Sequence, residues 1–217
     1  MIGLGGLGSP VAMYLAASGV GHLHLVDFDT VDVSNLQRQV VHTEQTLGVN
    51  KAESAKQVLL ALNPLITVTT ITEKVAPSAW VNVLDNIDIV VDCTDNFATR
   101  FALNRACFTL KKPLVSGAAI RMEGQLSVYD FRLGSSPCYQ CLYSPDATDD
   151  LRCAEAGVLS PVVGVMGSLQ ALETVKLITQ TGDSLVGRLL LFDAKSHQWR
   201  TLLLPKDPAC LLCSSDN

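Results

Sequence analysis

The sequence predicts an α/β fold, with a mostly parallel sheet, covering helices, and antiparallel strands in the C-terminal half. Three observations predict it. A glycine-rich turn opens the chain and runs into a helix. Strand and helix patterns then alternate through the first half, the signature of a parallel sheet. In the second half several strand-like segments follow one another, which favours antiparallel pairing.

The elements follow in order. Residues 10–19 read as a helix with Val11, Leu15 and Ser18 on one face and Gly19 as its stop. Residues 22–27 alternate polar and apolar and end on an aspartate, a strand pattern. Residues 50–62 form an amphipathic helix that Pro64 ends, and Ile66–Ile71 is a β-branched strand. The apolar run Ile87–Val91, leading into Asp92-Cys93-Thr94-Asp95-Asn96, suits a buried parallel strand. A helix is expected over 97–111, and short strands over Leu114–Ser116, Gln125–Phe131, Arg188–Phe192 and Gln198–Leu204. Pro161–Thr179 is a long helix, with Val165, Leu169, Leu172, Val175 and Lys176 marking its turns. Residues 133–160 are loop-rich, and a loop that long in a compact domain usually serves function.

The chain has 217 residues, 48% hydrophobic and 17% charged, enough apolar material for one packed unit. We read 1–217 as a single domain. Its nucleotide-binding half spans about 1–130, and a crossover loop with a metal-clipped part spans about 131–217. The net charge of -5 gives no reason to expect nucleic acid as a partner, and no uncharged run past the start is long enough for a membrane span. The first 26 residues carry no Lys, Arg, Asp or Glu, but the basic region a signal peptide needs is absent before Arg38. Seven cysteines include two C-x-x-C pairs, Cys138/Cys141 and Cys210/Cys213. An odd count with paired spacing points to a reducing, cytoplasmic compartment and a metal site rather than a disulfide framework. Four thiolates are the set a tetrahedral structural Zn²⁺ prefers.

Gly3-Leu4-Gly5-Gly6-Leu7-Gly8 satisfies G-x-G-x-x-G. The first glycine allows a tight turn, the second lets backbone approach a phosphate, and the third lets the helix pack closely with its N-terminal amides toward the anion. Asp27, at the end of the second predicted strand, is placed to accept from ribose hydroxyls. The pattern therefore predicts a Rossmann-like nucleotide site. Asp29, Asn35, Arg38, Lys51, Asp95 and Asn96 follow at strand ends and helix starts. A nicotinamide oxidoreductase, the alternative of a different class, needs no such set of cations and acids near the phosphates. An enzyme joining a carboxylate to ATP does, because two anions must approach and the departing pyrophosphate needs a metal with a carboxylate ligand.

GLGGLGSPVAMYLAASGVGHLHLVDFDTVDVSNLQRQ, then DCTDN, then PLVSGAAIRMEGQ, resembles the MoeB/ThiF/HesA adenylating enzymes, relatives of the ubiquitin-activating enzymes. The resemblance runs from Gly3 to Cys213, and PLVSGAAIRMEGQ and CAEAGVLSPVVGVMGSLQALE place it nearest the molybdopterin branch. It implies ATP-dependent adenylation of the C-terminal carboxylate of a small ubiquitin-like sulfur carrier ending in Gly-Gly, for molybdenum-cofactor synthesis. A thiamine-type carrier is the alternative within the family, and an inactive carrier-binding module is another. By the same resemblance Gly5 and Gly6 face the phosphates and Asp27 holds the ribose. Asn35, Arg38 and Lys51 contact the triphosphate, Asp95 binds Mg²⁺ and Asn96 lies beside the nucleotide. Cys138, Cys141, Cys210 and Cys213 hold Zn²⁺, and the protein is a homodimer. Asp29 is a further nucleotide-contact candidate, and Asp92 reads as orienting a neighbouring loop.

Cys153 follows Arg152 in the loop-rich stretch, where a thiolate could attack an acyl-adenylate. Cys93 and Cys107 read as inert packing residues. His22, His24, His42 and His197 show no metal spacing and are assigned no role. Only Met1 and Ile2 precede the glycine pattern, so the central first strand of such a sheet is expected to be largely missing, along with the N-terminal arginine that relatives extend to a neighbouring subunit. The chain stops at Asn217 without the rhodanese domain of some relatives, so an external sulfur donor is expected.

Overall fold

The computed structural model describes residues 1–144 and 157–214. Seven strands are present among them: β1 His22–Val26, β2 Thr67–Ile71, β3 Val90–Asp92, β4 Pro113–Ile120, β5 Glu123–Asp130, β6 Arg188–Asp193 and β7 Gln198–Leu203. The helices are α1 Gly8–Ala17, α2 Lys51–Leu62, α3 Trp80–Leu84, α4 Phe97–Leu110 and α5 Ser160–Thr179. β1 pairs with β2 and β3 with β4 in parallel. β4, β5, β6 and β7 then pair antiparallel in sequence order. The predicted division into a parallel first half and an antiparallel second half is thus observed.

The two parallel pairs are not hydrogen-bonded strand to strand. β1 and β3 meet through Ile2, which bridges in parallel to both Val26 and Asp92. Ile2 N–H donates to Val91 O at 2.9 Å and Cys93 N–H to Ile2 O at 2.9 Å, while Val26 N–H donates to Met1 O at 3.0 Å. Two residues therefore occupy the position of the central strand and deliver the chain straight into the glycine turn.

Alternation along the strands divides the core in two, because successive side chains leave a strand on opposite faces. Val91 and Val115 join a cluster with Val11 and Leu15 of α1, Leu59 of α2 and Val162, Val163 and Met166 of α5. Their neighbours Val90 and Leu114 join the other cluster, with Trp80 and Leu84 of α3, Leu103 and Cys107 of α4, and the cysteine pairs. α5 is the one helix among the described residues long and apolar enough to cross a membrane. Here it is a core helix packed on α1, β4 and β5, and it carries the Lys176–Glu173 ion pair at 2.5 Å.

Three local expectations need correction. β4 has eight residues where three were expected. Gly117, Ala118 and Ala119 lack strand propensity but pair with Leu126, Gln125 and Gly124 of β5, so tertiary pairing overrides propensity. β3 is shorter than the apolar run, because Ile87 N–H closes the end of α3 on Leu84 O. α3 itself was not anticipated: Pro77 opens a 3-10 turn ahead of it, and Trp80 and Leu84, one helical turn apart, supply its buried face.

α5 approaches the glycine turn more closely than any side chain would permit. A Cβ on Gly167 would lie 2.5 Å from Leu7 O, whereas one on Gly164, a turn earlier, would meet open space. Gly164→Ala should therefore raise stability by about 0.5–1 kcal/mol through helix propensity. Gly167→Ala should lower it by about 2–3 kcal/mol through overpacking. Urea melts of the two variants check this; equal shifts would contradict the packing.

Candidate functional site

The glycine turn has the division of labour that its pattern predicts. A Cβ on Gly3 (φ +87°) would lie 2.9 Å from Cys93 O, and one on Gly8 would lie 2.0 Å from Gly3 O. These two glycines close the turn and seat α1. Gly5 differs, since its Cβ would meet only the Gln39 amide, at 3.5 Å. Among the described residues, no hydrogen bond within the chain uses the N–H of Gly5 or Gly6. Two unused amides at the start of a helix form the kind of cradle that takes an anion.

Asp27 ends β1 beside this cradle. Its Oδ2 accepts from Leu4 N–H at 2.7 Å and its Oδ1 from Asp29 N–H at 2.9 Å. Burial pushes the carboxyl up from its usual value, opposed by those two amides and by Lys51. Each carboxylate oxygen keeps a lone pair free for a further donor. Lys51 is buried, with its Nζ 3.0 Å from Asp29 Oδ2. Asn50, which the sequence reading overlooked, builds this corner. Its Nδ2 donates to Asp27 O at 2.9 Å and Asp29 O at 3.1 Å, while its Oδ1 caps α2 through Ala52 and Glu53 N–H. One side chain thus fixes the end of β1 and the residue before Lys51.

Asn35 and Arg38 stand together, with Arg38 Nη2 donating to Asn35 Oδ1 at 2.6 Å. The short turn Val33–Asn35, which carries Asn35 and precedes Arg38, is capped by Asp32, whose Oδ1 accepts from Ser34 N–H. Next to them Gln39 is buried under Gly5, and its Oε1 has no partner among the described residues. An orphaned buried acceptor at the cradle fits a ligand that brings a donor.

The other wall follows β3. Asp95 is exposed, and Asn96 caps α4 through Thr99 N–H at 2.9 Å. Asp92 is buried and accepts from Thr94 N–H, Thr94 Oγ1 and Ser116 Oγ, so it orients the 93–96 loop as expected. No hydrogen bond joins Asp95 to Arg38 or Lys51 among the described residues. Asp95 instead opens onto a cavity of about 390 Å³ that runs between α4, β5 and β6. Arg100 lines it and was also missed. It is buried, with Nη2 donating to Thr94 O at 2.5 Å, and its Nε has no partner among the described residues. The available signal was an arginine on the apolar face of a predicted helix.

The four paired cysteines converge. Cys138 and Cys210 Sγ lie 3.5 Å apart, Cys141 and Cys213 Sγ 3.4 Å, and all four within 4.8 Å of one another. A tetrahedron with metal–sulfur bonds of about 2.3 Å has edges of roughly 3.8 Å, so the donor set fits Zn²⁺. Burial and then the charge of Cys141 push the Cys138 thiol up to about 12, a penalty that a bound cation would relieve. Cys93 and Cys107 are buried as expected, and burial pushes the Cys93 thiol to about 12. Cys153 lies outside the described residues.

Residues 1–212 match the ThiF family. The chain belongs to the ThiF family. Within it, the chain is 46% identical over 213 residues to the molybdopterin-synthase adenylyltransferases of Salmonella typhimurium and Escherichia coli K12, covering 98% of this chain and 85% of each relative. It is 47% identical over 219 residues to the adenylyltransferase and sulfurtransferase MOCS3 of Culex quinquefasciatus, spanning 100% of this chain and half of that one. Escherichia coli MccB, solved with AMPCPP and MccA, superposes with a TM-score of 0.85 at 25% identity, over 99% of this chain and 65% of that one.

The zinc geometry generates a test. Purified protein should contain about one zinc per chain. Cys210→Ser should lose the metal and lower the melting temperature more than it lowers activity measured well below that temperature. Metal-free wild-type protein of unchanged stability would refute the site.

Proposed function

We propose that this ThiF-family chain is an adenylyltransferase that activates the C-terminal carboxylate of a small ubiquitin-like sulfur carrier ending in Gly-Gly, for molybdenum-cofactor synthesis. The observation that carries this reading is the amide cradle with unused N–H groups beside Asp27, followed at the end of the next parallel strand by Asp95 on the rim of a separate cavity of about 390 Å³. The naming of its relatives as molybdopterin-synthase adenylyltransferases supports the carrier type over a thiamine-type partner. The oxidoreductase alternative has no such support.

In this reading Asp27 and its paired lone pairs hold the ribose of ATP, and the Gly5 and Gly6 amides hold phosphate. The carrier tail occupies the cavity, where the small side chains of Ala118 and Ala119 leave room for glycines and Arg100 and Arg200 offset the tail's charge. The carboxylate oxygen attacks the α-phosphorus, a C–O–P bond forms, the α–β anhydride bond breaks and pyrophosphate leaves. Asn35 and Arg38 steady the triphosphate, and Lys51, with Asp29 beside it, lowers the repulsion between the two anions. Asp95 would hold Mg²⁺, with Asn96 adjacent; the ion would neutralise the leaving pyrophosphate. Cys153 takes no part in adenylation, and an external sulfur donor consumes the acyl-adenylate. The working unit is a homodimer.

Carrier-dependent ATP–pyrophosphate exchange tests this. Arg38→Ala and Lys51→Ala should each reduce the rate on the order of 10²-fold or more while leaving the melting temperature close to wild type. Wild-type rates would remove them from the site. Asp95→Ala and Asp27→Asn should differ in kind, the first lowering kcat and the second raising KM for ATP. Indistinguishable kinetic profiles would show that the two carboxylates do not divide the work this way.

A further inference from the structure

His42 was assigned no role from sequence. It is buried, and its ring spans two elements of the site. Nε2 lies 2.9 Å from Leu4 O, and Nδ1 lies 2.9 Å from Ser54 Oγ on α2. A carbonyl oxygen can only accept, so a ring hydrogen must sit on Nε2, while Nδ1 lies against the Ser54 hydroxyl, which also meets Thr46 Oγ1 at 3.0 Å. Burial lowers the ring's affinity for a second proton, which keeps this neutral tautomer.

The Leu4 carbonyl shares a planar trans peptide with the N–H of Gly5. Across such a plane C=O and N–H point in opposite directions. Holding Leu4 O inward, toward His42, therefore aims Gly5 N–H outward, away from the core. That amide is one of the two in the cradle that have no partner among the described residues. The neighbouring peptide is fixed as well, since Leu4 N–H is held by Asp27. Leu4 is thus gripped at both ends, by the ribose-side acid and by His42. Gly5 cannot turn its N–H without breaking one of these bonds.

We propose that His42 is a positioning residue for phosphate binding: by donating to Leu4 O it orients the Gly5 amide toward the nucleotide phosphates. The Leu4 carbonyl sets the ring's tautomer, and through the contact of Nδ1 with Ser54, α2, whose first residue is Lys51, is tied to the glycine turn. The inference rests on the nucleotide reading above and deepens it.

Two substitutions separate this role from mere packing. In His42→Gln the side-chain amide nitrogen reaches roughly the place of Nε2 and can still donate to Leu4 O. In His42→Asn it reaches only roughly the place of Nδ1 and cannot. Binding of ATP and of adenosine to the full chain is measured by calorimetry, with the Gly5 amide followed by ¹⁵N NMR. His42→Asn should weaken ATP on the order of tenfold or more, the scale of one hydrogen bond to a charged group. Adenosine binding should be unchanged, and the shift of the Gly5 amide on adding ATP should be lost. His42→Gln should restore both. Equal loss of ATP and adenosine in His42→Asn, wild-type ATP binding in it, or no rescue by Gln would each overturn the role of His42. Wild-type protein that binds neither ligand would instead overturn the nucleotide reading itself, so the two failures are distinguishable.

Discussion

The structure depends on how closely other backbone and side chains crowd the turn between Ile2 and α1. Gly3 carbonyl occupies the space of a Gly8 Cβ, the Cys93 carbonyl that of a Gly3 Cβ, and the Leu7 carbonyl that of a Gly167 Cβ. Val163 presses on Gly6 from the same helix, at 3.0 Å from its Cβ position. Such contacts leave a peptide no room to rotate. They also bring β3, α1 and α5 to one point, so the three elements share a single set of tolerances. A binding cradle made of backbone has no rotamers of its own. It is only as well defined as the packing behind it.

Side chains then finish what packing begins. Asn50 links the two carbonyls after β1 to the first turn of α2, and Asp27 returns to the turn through Leu4 N–H. Gln170, fully buried on α5, donates to Asp92 O at 2.9 Å and lies where a Cβ on Gly117 would intrude. These bonds make the ends of β1, β3 and β4 one unit with the helices above them. Placing reactive groups at the C-terminal ends of parallel strands gives them rigid mounts while leaving their tips open to a ligand.

What was legible in the sequence is what a local pattern can encode. The glycine spacing, the acid after β1 and the paired cysteines each state a geometry within a few residues. The strand-then-helix rhythm gave the parallel half. Residues whose role depends on distant partners were illegible. His42 meets a carbonyl from the start of the chain, Arg100 meets carbonyls of the 93–96 loop and of β4, and Asn50 works both ends of a loop. None stands in a spacing that distinguishes it from a surface polar residue. β4 was read too short for a related reason: its second half is small residues held by pairing with β5 rather than by propensity. α3 hid because a two-residue apolar face is too brief to show a period.

α4 connects the metal end of the molecule to the chemical end. Its first turn follows Asp95 and is capped by Asn96. Near its middle, buried Asn104 accepts from Tyr139 N–H at 2.9 Å, which fixes the cysteine turn to the helix. Tyr139 lies between the metal-pair cysteines Cys138 and Cys141, and its ring packs on Phe101 of α4 and on Tyr143. Tyr143 in turn exchanges hydrogen bonds with Gln125 of β5, and both line the cavity. Four thiolates gathered on a cation would stop the Tyr139 turn from fraying. The turn supports the aromatic wall, and the wall bounds the space into which Asp95 opens. A metal held there would thereby shape the cavity without touching a reactant. A clip at the Tyr139 turn would therefore brace the first half of α4, the part of the helix nearest Asp95, as well as the segment that carries Cys210 and Cys213.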